Sequence, residues 1–179
     1  MGNFWIDAVD LTWINGEADD PEDMCLHGNA TAVIGEETFT YQCTVSATAL
    51  YLLKTLTQDH MIGEEIQMLP CCGFFLMPNE ALTEVAISGC PNGIDWSVIH
   101  AGQTVRLITE SGKETVVPIA DYARAVFRFA DRIEAYYQSC APKLPGEDEL
   151  DQNGYTAFWN EWHRRRKFVP ISEDTSCIP

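Results

Sequence analysis

The sequence predicts an α+β fold, in which an antiparallel β-sheet packs against about three helices. Short runs of β-branched and aromatic residues alternate with turns that contain Gly or Asn, and these runs stand apart from segments of helical periodicity. The apolar content, 46% of 179 residues, is sufficient to bury a core. We expect one α+β domain over residues 1–170 and a C-terminal tail over residues 171–179.

The first part of the chain predicts strands followed by one helix. Residues 4–14 alternate aromatic and β-branched side chains with polar ones, which is typical of a strand. Two further β-type runs, residues 30–34 and 38–45, are separated by Gly-Glu-Glu and predict a hairpin. Residues 47–60 carry leucines at helical spacing, and we expect Ser46 to cap this helix.

The middle of the chain predicts the main sheet. Residues 66–69 and 73–77 are mostly apolar, so we expect buried strands at the centre of the sheet. Residues 84–117 contain four β-type runs whose short connectors hold Gly or Asn. A parallel crossover needs about a dozen residues or more, so these four runs predict an antiparallel meander.

Two helices are predicted after the meander. Residues 118–140 begin with Pro, which suits the first turn of a helix, and carry a continuous apolar stripe. Residues 147–151 are expected to form an acidic linker. Residues 155–167 predict a further helix, which Pro170 ends.

The charge of the chain favours some partners and disfavours others. The formal net charge is −16, and residues 1–70 hold twelve acids against one Lys. Such acidity repels phosphate, which argues against nucleic acid as the main ligand and against an anionic membrane surface. A basic protein is the partner class that this charge favours.

Targeting signals and cysteine content point to the cytoplasm. Asp7 and Asp10 occupy the region where a signal peptide needs a basic start and an apolar run. The longest apolar run, residues 68–77, is too short to span a bilayer, which takes about 20 helical residues. The seven cysteines are an odd number without the spacing of a disulfide scaffold, which is typical of a reducing compartment.

The metal-ligating residue types do not have the spacing of a zinc site. The candidates are Cys25, His27, Cys71, Cys72 and Cys90. A closed zinc site takes four ligands, usually from two close pairs, and we expect the adjacent Cys71 and Cys72 to point in different directions. Apolar neighbours raise a thiol pKa, which argues against either as a nucleophile. We therefore predict no metal, no cofactor and no catalytic residue, although whether any of the five binds metal stays open.

Two charged clusters remain as candidate binding sites. Asp19, Asp20, Glu22 and Asp23 lack the spacing of a calcium-binding loop, so we expect a solvated loop and predict that it contacts a basic partner. Residues 163–167 are His-Arg-Arg-Arg-Lys. This cluster either binds phosphate or RNA, or it has a structural role, in which it complements the helix dipole or pairs with the acidic segments of the same chain. The structural interpretations are favoured.

These observations lead to three hypotheses on function. The chain has no phosphate-binding glycine loop, no dinucleotide-binding fingerprint, no nucleophile elbow and no zinc-protease motif. The leading hypothesis is a non-enzymatic cytoplasmic interaction protein, in a specific version a bacterial immunity protein that inhibits a basic toxin. The first alternative is a small enzyme with a dispersed site between sheet and helices, using His60, Trp96 and His100. The second is a structural or homo-oligomeric protein, in which the basic helix of one subunit contacts the acidic N-terminal region of another.

Overall fold

Three helices and ten strands, paired antiparallel, make up the part of the chain that the structure describes. The structure is a computed structural model that describes residues 3–73 and 75–169. In chain order the elements are β1 (Phe4–Thr12), β2 (His27–Ile34), β3 (Glu37–Thr44), α1 (Val45–Lys54), β4 (Leu69–Pro70), β5 (Phe75–Pro78), β6 (Val85–Ser88), β7 (Gly93–Ile94), β8 (Trp96–Ala101), β9 (Thr104–Thr109), β10 (Glu114–Pro118), α2 (Ile119–Ser139) and α3 (Glu149–Arg165). The predicted α+β class is confirmed. The predicted tail, residues 171–179, lies outside the described residues.

The first sheet has the order β1-β2-β3 and confirms the predicted strand and hairpin. Strand β2 pairs with β1 from Phe4↔Ile34 onwards and with β3 from Ile34↔Glu37 onwards. Gly35 makes the hairpin turn with a φ of 59°, a left-handed conformation that favours glycine. Alternate β2 residues are buried, so one face of this sheet is turned to the core.

Helix α1 is buried on all sides and occupies the centre of the molecule. Every residue from Val45 to Leu53 is buried, including the polar Ser46 and Thr48, as expected for a mostly apolar helix in the core. The predicted Ser46 cap was wrong, since Ser46 lies inside the helix and its hydroxyl accepts a hydrogen bond from the Leu26 N–H at 3.1 Å. The helix also ends before residue 60, because the His60 backbone leaves it to form a bridge with β8.

The second sheet, ordered β10-β9-β8, is the meander predicted for residues 84–117 without its first strand. That strand, β6, pairs with β5 instead, while β7 pairs with β4. The central burial predicted for residues 73–77 was wrong at β5, where Phe75 is 53% and Met77 46% exposed. Strand β5 belongs to a two-stranded ladder that α3 contacts, so its apolar residues are divided between helix and solvent.

The two C-terminal helices confirm the predicted elements but not all of their boundaries. Helix α2 lies within one residue of the predicted 118–140 and packs against α1 and β1. Helix α3 begins six residues before the predicted 155, because the Asp148 carboxylate caps it by accepting the Leu150 N–H at 2.7 Å. The predicted acidic linker therefore supplies the first turn, where negative charge complements the helix dipole.

One continuous cluster of buried apolar side chains extends from Phe4 in β1 to Trp162 in α3. Both three-stranded sheets and all three helices contribute to it. None of the helices within residues 3–73 and 75–169 combines the length and the apolar character that crossing a bilayer requires.

Candidate functional sites

The acidic loop, residues 17–23, is shaped in part by its own carboxylates. Asp23 accepts hydrogen bonds from the backbone N–H groups of Ile14 at 2.7 Å and Cys25 at 2.9 Å. Its side chain is only 11% exposed. Asp23 therefore closes the base of the loop, and its predicted contact with a partner stays a prediction.

The other three predicted residues are more accessible. Asp19 is exposed and accepts a hydrogen bond from the Ala141 N–H at 2.9 Å. Asp20 is half-buried and accepts the Glu22 N–H at 3.0 Å. Glu22 is exposed, and its carboxylate forms no hydrogen bond or ion pair with any residue that the structure describes.

Residues 141–144 lie along the acidic loop, and the second acidic segment, residues 147–151, follows them in the chain. The Leu144 N–H donates to the Pro21 carbonyl at 2.8 Å, and the Lys143 ammonium donates to the Asp20 carbonyl. Glu147 follows Leu144 by three residues, so its backbone lies within about 11 Å of that contact. We call this combined surface the acidic edge, defined as Glu17, Asp19, Asp20, Glu22, Glu147, Asp148, Glu149 and Asp151.

Four of the five residues in the basic cluster 163–167 are paired with acids of the same chain. The pairs are His163–Glu134 (2.9 Å), Arg164–Glu84 (2.9 Å), Arg165–Glu161 (2.7 Å) and Arg166–Asp131 (2.5 Å). The cluster is therefore paired within the chain, as the structural interpretation predicts, but its partners lie outside the acidic segments 17–23 and 147–151. None of these four acids belongs to the acidic edge, so these pairs leave its carboxylates without an ion pair, although the Lys143 ammonium interacts electrostatically with Asp19 and Asp20.

The structure brings three cysteines together, against the expectation that Cys71 and Cys72 point in different directions. The Sγ atoms of Cys71, Cys72 and Cys90 all lie within 4.8 Å of one another. Strands β4 and β7 pair antiparallel. Cys71 and Cys72 directly follow β4, and Cys90 precedes β7, so the pairing brings the two cysteine segments together. The Cys71 N–H donates to the Asn92 carbonyl at 2.9 Å. A Cβ atom at Gly89 would lie 2.3 Å from the Cys72 carbonyl oxygen, so this close approach requires glycine.

Hydrogen bonds within this cysteine cluster favour a thiolate at Cys90. The thiols of Cys72 and Cys71, followed by the backbone of Asn92, lower the pKa of Cys90 to about 7. The same interaction raises the pKa of Cys71, whose thiol donates to Cys90. The Cys90 N–H in turn donates to the Cys72 sulfur at 2.9 Å. With a pKa of about 7, the Cys90 thiol is partly ionised at neutral pH.

Two of the three cysteines line an open cleft. Its volume is about 540 Å³, and Cys72 and Cys90 line it together with Lys54, Glu65 and Gln67. Cys71 is exposed, and the other two thiols are half-buried. An ion or a small molecule can therefore reach the cluster from solvent.

The other candidate ligands do not join the cluster. Cys25 is buried and donates to the Gly73 carbonyl at 3.4 Å, and burial raises its pKa to about 12. His27 lies 3.9 Å from Asp23, at the base of the acidic loop. Among the described residues, Cys71, Cys72 and Cys90 are the one group of His, Cys, Asp or Glu side chains with metal-ligand spacing.

The three residues of the enzyme hypothesis are placed where they support the fold. His60 is 2% exposed and bonds to Asp95 at 2.8 Å through Nε2, and Trp96 is fully buried. His100 is half-buried, with its Nδ1 2.7 Å from Asp59. A substrate would contact His60 or Trp96 only after the core had opened locally.

Sequence reasoning named Cys71, Cys72 and Cys90 among the candidate ligands but did not expect them to lie together, although one signal of their proximity was present. Residues 70–72 and 89–93 both interrupt apolar β-type runs, and each interruption contains cysteine. Comparison with protein-family models, with curated proteins and with solved structures gave no match. Function is therefore argued from the residues of this chain.

Proposed function

We propose that this chain is a non-enzymatic, cytoplasmic interaction protein that binds a basic protein partner through the acidic edge. The observation that carries the proposal is the unequal pairing of its charges. Most basic side chains are paired with acids elsewhere in the fold, whereas the acids of the acidic edge form no ion pair with a described residue and only Asp19 and Asp20 have the nearby Lys143 ammonium to offset part of their charge.

Eight of the eleven Lys and Arg residues form ion pairs. They are Lys54, Arg106, Lys113, Arg124, Arg132, Arg164, Arg165 and Arg166. Within the described part of the chain, no acid of the acidic edge forms such a pair. The edge is exposed except at the half-buried Asp20, so its negative field extends into solvent.

Apolar side chains beside the acidic edge add a means of anchoring a partner. Leu144 is 62% exposed and Leu150 is 51% exposed, and both lie within the segment that carries the second group of acids. In protein interfaces, charge mainly raises the association rate and specificity, while desolvated apolar residues supply much of the affinity.

An immunity protein against a basic bacterial toxin is the specific form of this proposal. Its support is the sign of the charge, the size of the chain and the α+β architecture. A toxin gene directly upstream of this one would favour it, and metabolic neighbours would count against it. The oligomer alternative is not proposed, because the basic helix end that it needs is already paired within the chain.

Two charge variants with equal net charge test the proposal. The edge variant is Glu17→Gln/Glu22→Gln/Glu147→Gln, and the control variant is Glu36→Gln/Glu80→Gln/Glu110→Gln. All six carboxylates are exposed and form no ion pair with a described residue, and each variant changes the net charge from −16 to −13.

Each protein is used to capture partners from the lysate of the source organism, and the captured basic protein is purified for association kinetics. We expect the edge variant to lower the association rate constant about 3- to 10-fold at low salt, with a smaller loss at high salt, because it weakens electrostatic steering. The control variant is expected to change it by less than about 2-fold. Equal rates for both variants would refute the acidic edge as the binding surface.

A further inference from the structure

We propose that Cys71, Cys72 and Cys90 bind one thiophilic metal ion, Zn²⁺ or Cu⁺, beside the cleft that Cys72 and Cys90 line. This goes beyond the proposed partner binding and does not depend on it. The inference stands on the number, the spacing and the accessibility of the three sulfur atoms.

The spacing of the sulfur atoms is close to what a single ion requires. Tetrahedral Zn²⁺ with Zn–S bonds of about 2.3 Å places its sulfur ligands about 3.8 Å apart. All three sulfur atoms already lie within 4.8 Å of one another, so small side-chain rotations close the remaining gap. Such rotations are available to thiols that are exposed or half-buried.

The backbone holds the two cysteine segments together before any ion binds. Strands β4 and β7 pair at Leu69↔Ile94 and Pro70↔Gly93, and the Cys71 N–H bonds to Asn92 directly beyond them. The cluster therefore does not have to be assembled by the ion, which lowers the entropic cost of binding.

The chemistry of the ligand set selects soft ions. Thiolates favour Cu⁺ and Zn²⁺ over the hard ions Mg²⁺ and Ca²⁺, which take oxygen ligands. A disulfide would use two of the sulfur atoms and leave the third unpaired, whereas one ion engages all three. Metal ligation requires thiolates, so binding releases thiol protons and the positive ion neutralises the adjacent sulfur atoms.

With three protein ligands, the site leaves a coordination position on Zn²⁺ for a ligand from outside the protein. Structural zinc sites take four protein ligands, whereas sites with three protein ligands keep a position for water or an added ligand. The described residues supply three, so Zn²⁺ would take its fourth ligand from solvent or from a molecule in the cleft. Cu⁺ would need none, since three thiolates can satisfy it.

Direct metal titration of the reduced full-length protein under anaerobic conditions tests the site. Zn²⁺ affinity is measured against a chromophoric chelator and Cu⁺ affinity against a Cu⁺-specific chelator. Metal content after gel filtration gives the stoichiometry. The variant is Cys90→Ser, and the matched control is Cys140→Ser, which changes another half-buried cysteine outside the cluster.

We expect one ion per chain in the wild type and in Cys140→Ser. Loss of a direct ligand should cost more than the 10- to 100-fold typical of outer-shell partners, so Cys90→Ser is expected to weaken binding at least about 100-fold. The titration, with Zn²⁺ or with Cu⁺, that gives one bound ion per chain identifies the ion. Failure of both ions to bind at one per chain would overturn the proposal, as would equal affinity in Cys90→Ser and the wild type.

A protection experiment on the wild type removes any dependence on how the variants fold. Alkylation followed by mass spectrometry locates which of the seven cysteines react with and without metal. We expect the bound ion to protect Cys71, Cys72 and Cys90 and to leave Cys140 unprotected. Protection that is equal with and without metal would contradict the site. The edge variant of the proposed function should bind metal like the wild type, so the two proposals fail separately.

Discussion

Replacing Glu161 by Gln tests how α3 is held against the rest of the fold. The Glu161 side chain is fully buried, with Oε1 2.7 Å from Arg165 Nε and Oε2 3.3 Å from Lys54 Nζ. Oε2 also accepts the Val85 N–H at 2.8 Å. One carboxylate therefore connects α3 to α1 and to β6.

The structure indicates a large energetic effect for this substitution. Gln keeps the volume of Glu161 and a carbonyl oxygen for the Val85 N–H, so cavity formation contributes little. It removes the negative charge between two cations, one of which, Arg165, is 7% exposed. Burial already lowers the pKa of Lys54, and Glu161 is the main opposing influence. Removing one partner of a buried ion pair typically costs about 3–5 kcal/mol, and we expect Glu161→Gln to fall in this range.

Urea denaturation at pH 7, followed by tryptophan fluorescence, measures the change in the free energy of unfolding. The control is Glu84→Gln, which removes a 53% exposed carboxylate that pairs with Arg164 at 2.9 Å. Exposed pairs contribute about 0–1 kcal/mol, so the control should unfold close to the wild type. A loss below about 1 kcal/mol for Glu161→Gln would refute the inference that this carboxylate anchors α3.

Two further predictions concern pH and backbone packing. Burial lowers the pKa of His60, but its hydrogen bond to Asp95 and the carboxylate charges outweigh this, so the folded pKa is raised. The extra stability is therefore fully present below the unfolded pKa of about 6.5 and is lost as the pH rises through the folded pKa. The free energy of unfolding of the wild type minus that of His60→Gln, measured by urea titration, should therefore decrease as the pH rises. A constant difference would contradict this. At Gly154 in α3 an added Cβ would lie 2.2 Å from the Leu76 carbonyl oxygen, so Gly154→Ala should cost about 1–3 kcal/mol despite better helix propensity. Gly146 has open space around it, so Gly146→Ala should change the free energy of unfolding by no more than about 0.5 kcal/mol. Thermal unfolding of both glycine variants and the wild type measures these changes.

The elements that depend on local side-chain pattern were predictable, and their long-range pairing was not. The apolar stripe of α2 and the turn of the β2–β3 hairpin depend on residues that are close together in the sequence, and both elements were predicted. Strand β6 pairs with the preceding strand β5 and not with β8, and both β5 and β6 contact α3, a distant segment that no local pattern in residues 75–88 indicates. The start of α3 was misplaced for a different reason. The acidity of residues 147–151 predicts a linker, whereas in the structure the acids Glu149 and Asp151 lie in the first turn of α3, where negative charge complements the helix dipole.

The candidate sites show the same division. The acidic loop was recognisable from composition, but its contact with residues 141–144 depends on the Leu144–Pro21 hydrogen bond between distant segments. The cysteine cluster brings together residues about 18 positions apart by pairing β4 with β7, each only two residues long. Strands of that length leave no alternation in the sequence to detect.

Metal binding and partner binding have to be separated experimentally, because the two candidate surfaces are near neighbours and both attract cations. Cys25, at the base of the acidic loop, contacts Gly73 directly after Cys72. Carboxylates are also Zn²⁺ ligands, whereas Cu⁺ prefers sulfur to oxygen. Carboxylate-bound Zn²⁺ would be reduced in the edge variant and retained in Cys90→Ser, and thiolate-bound ions would show the reverse. Measuring both ions and the partner association rate on both variants therefore assigns each activity to one surface.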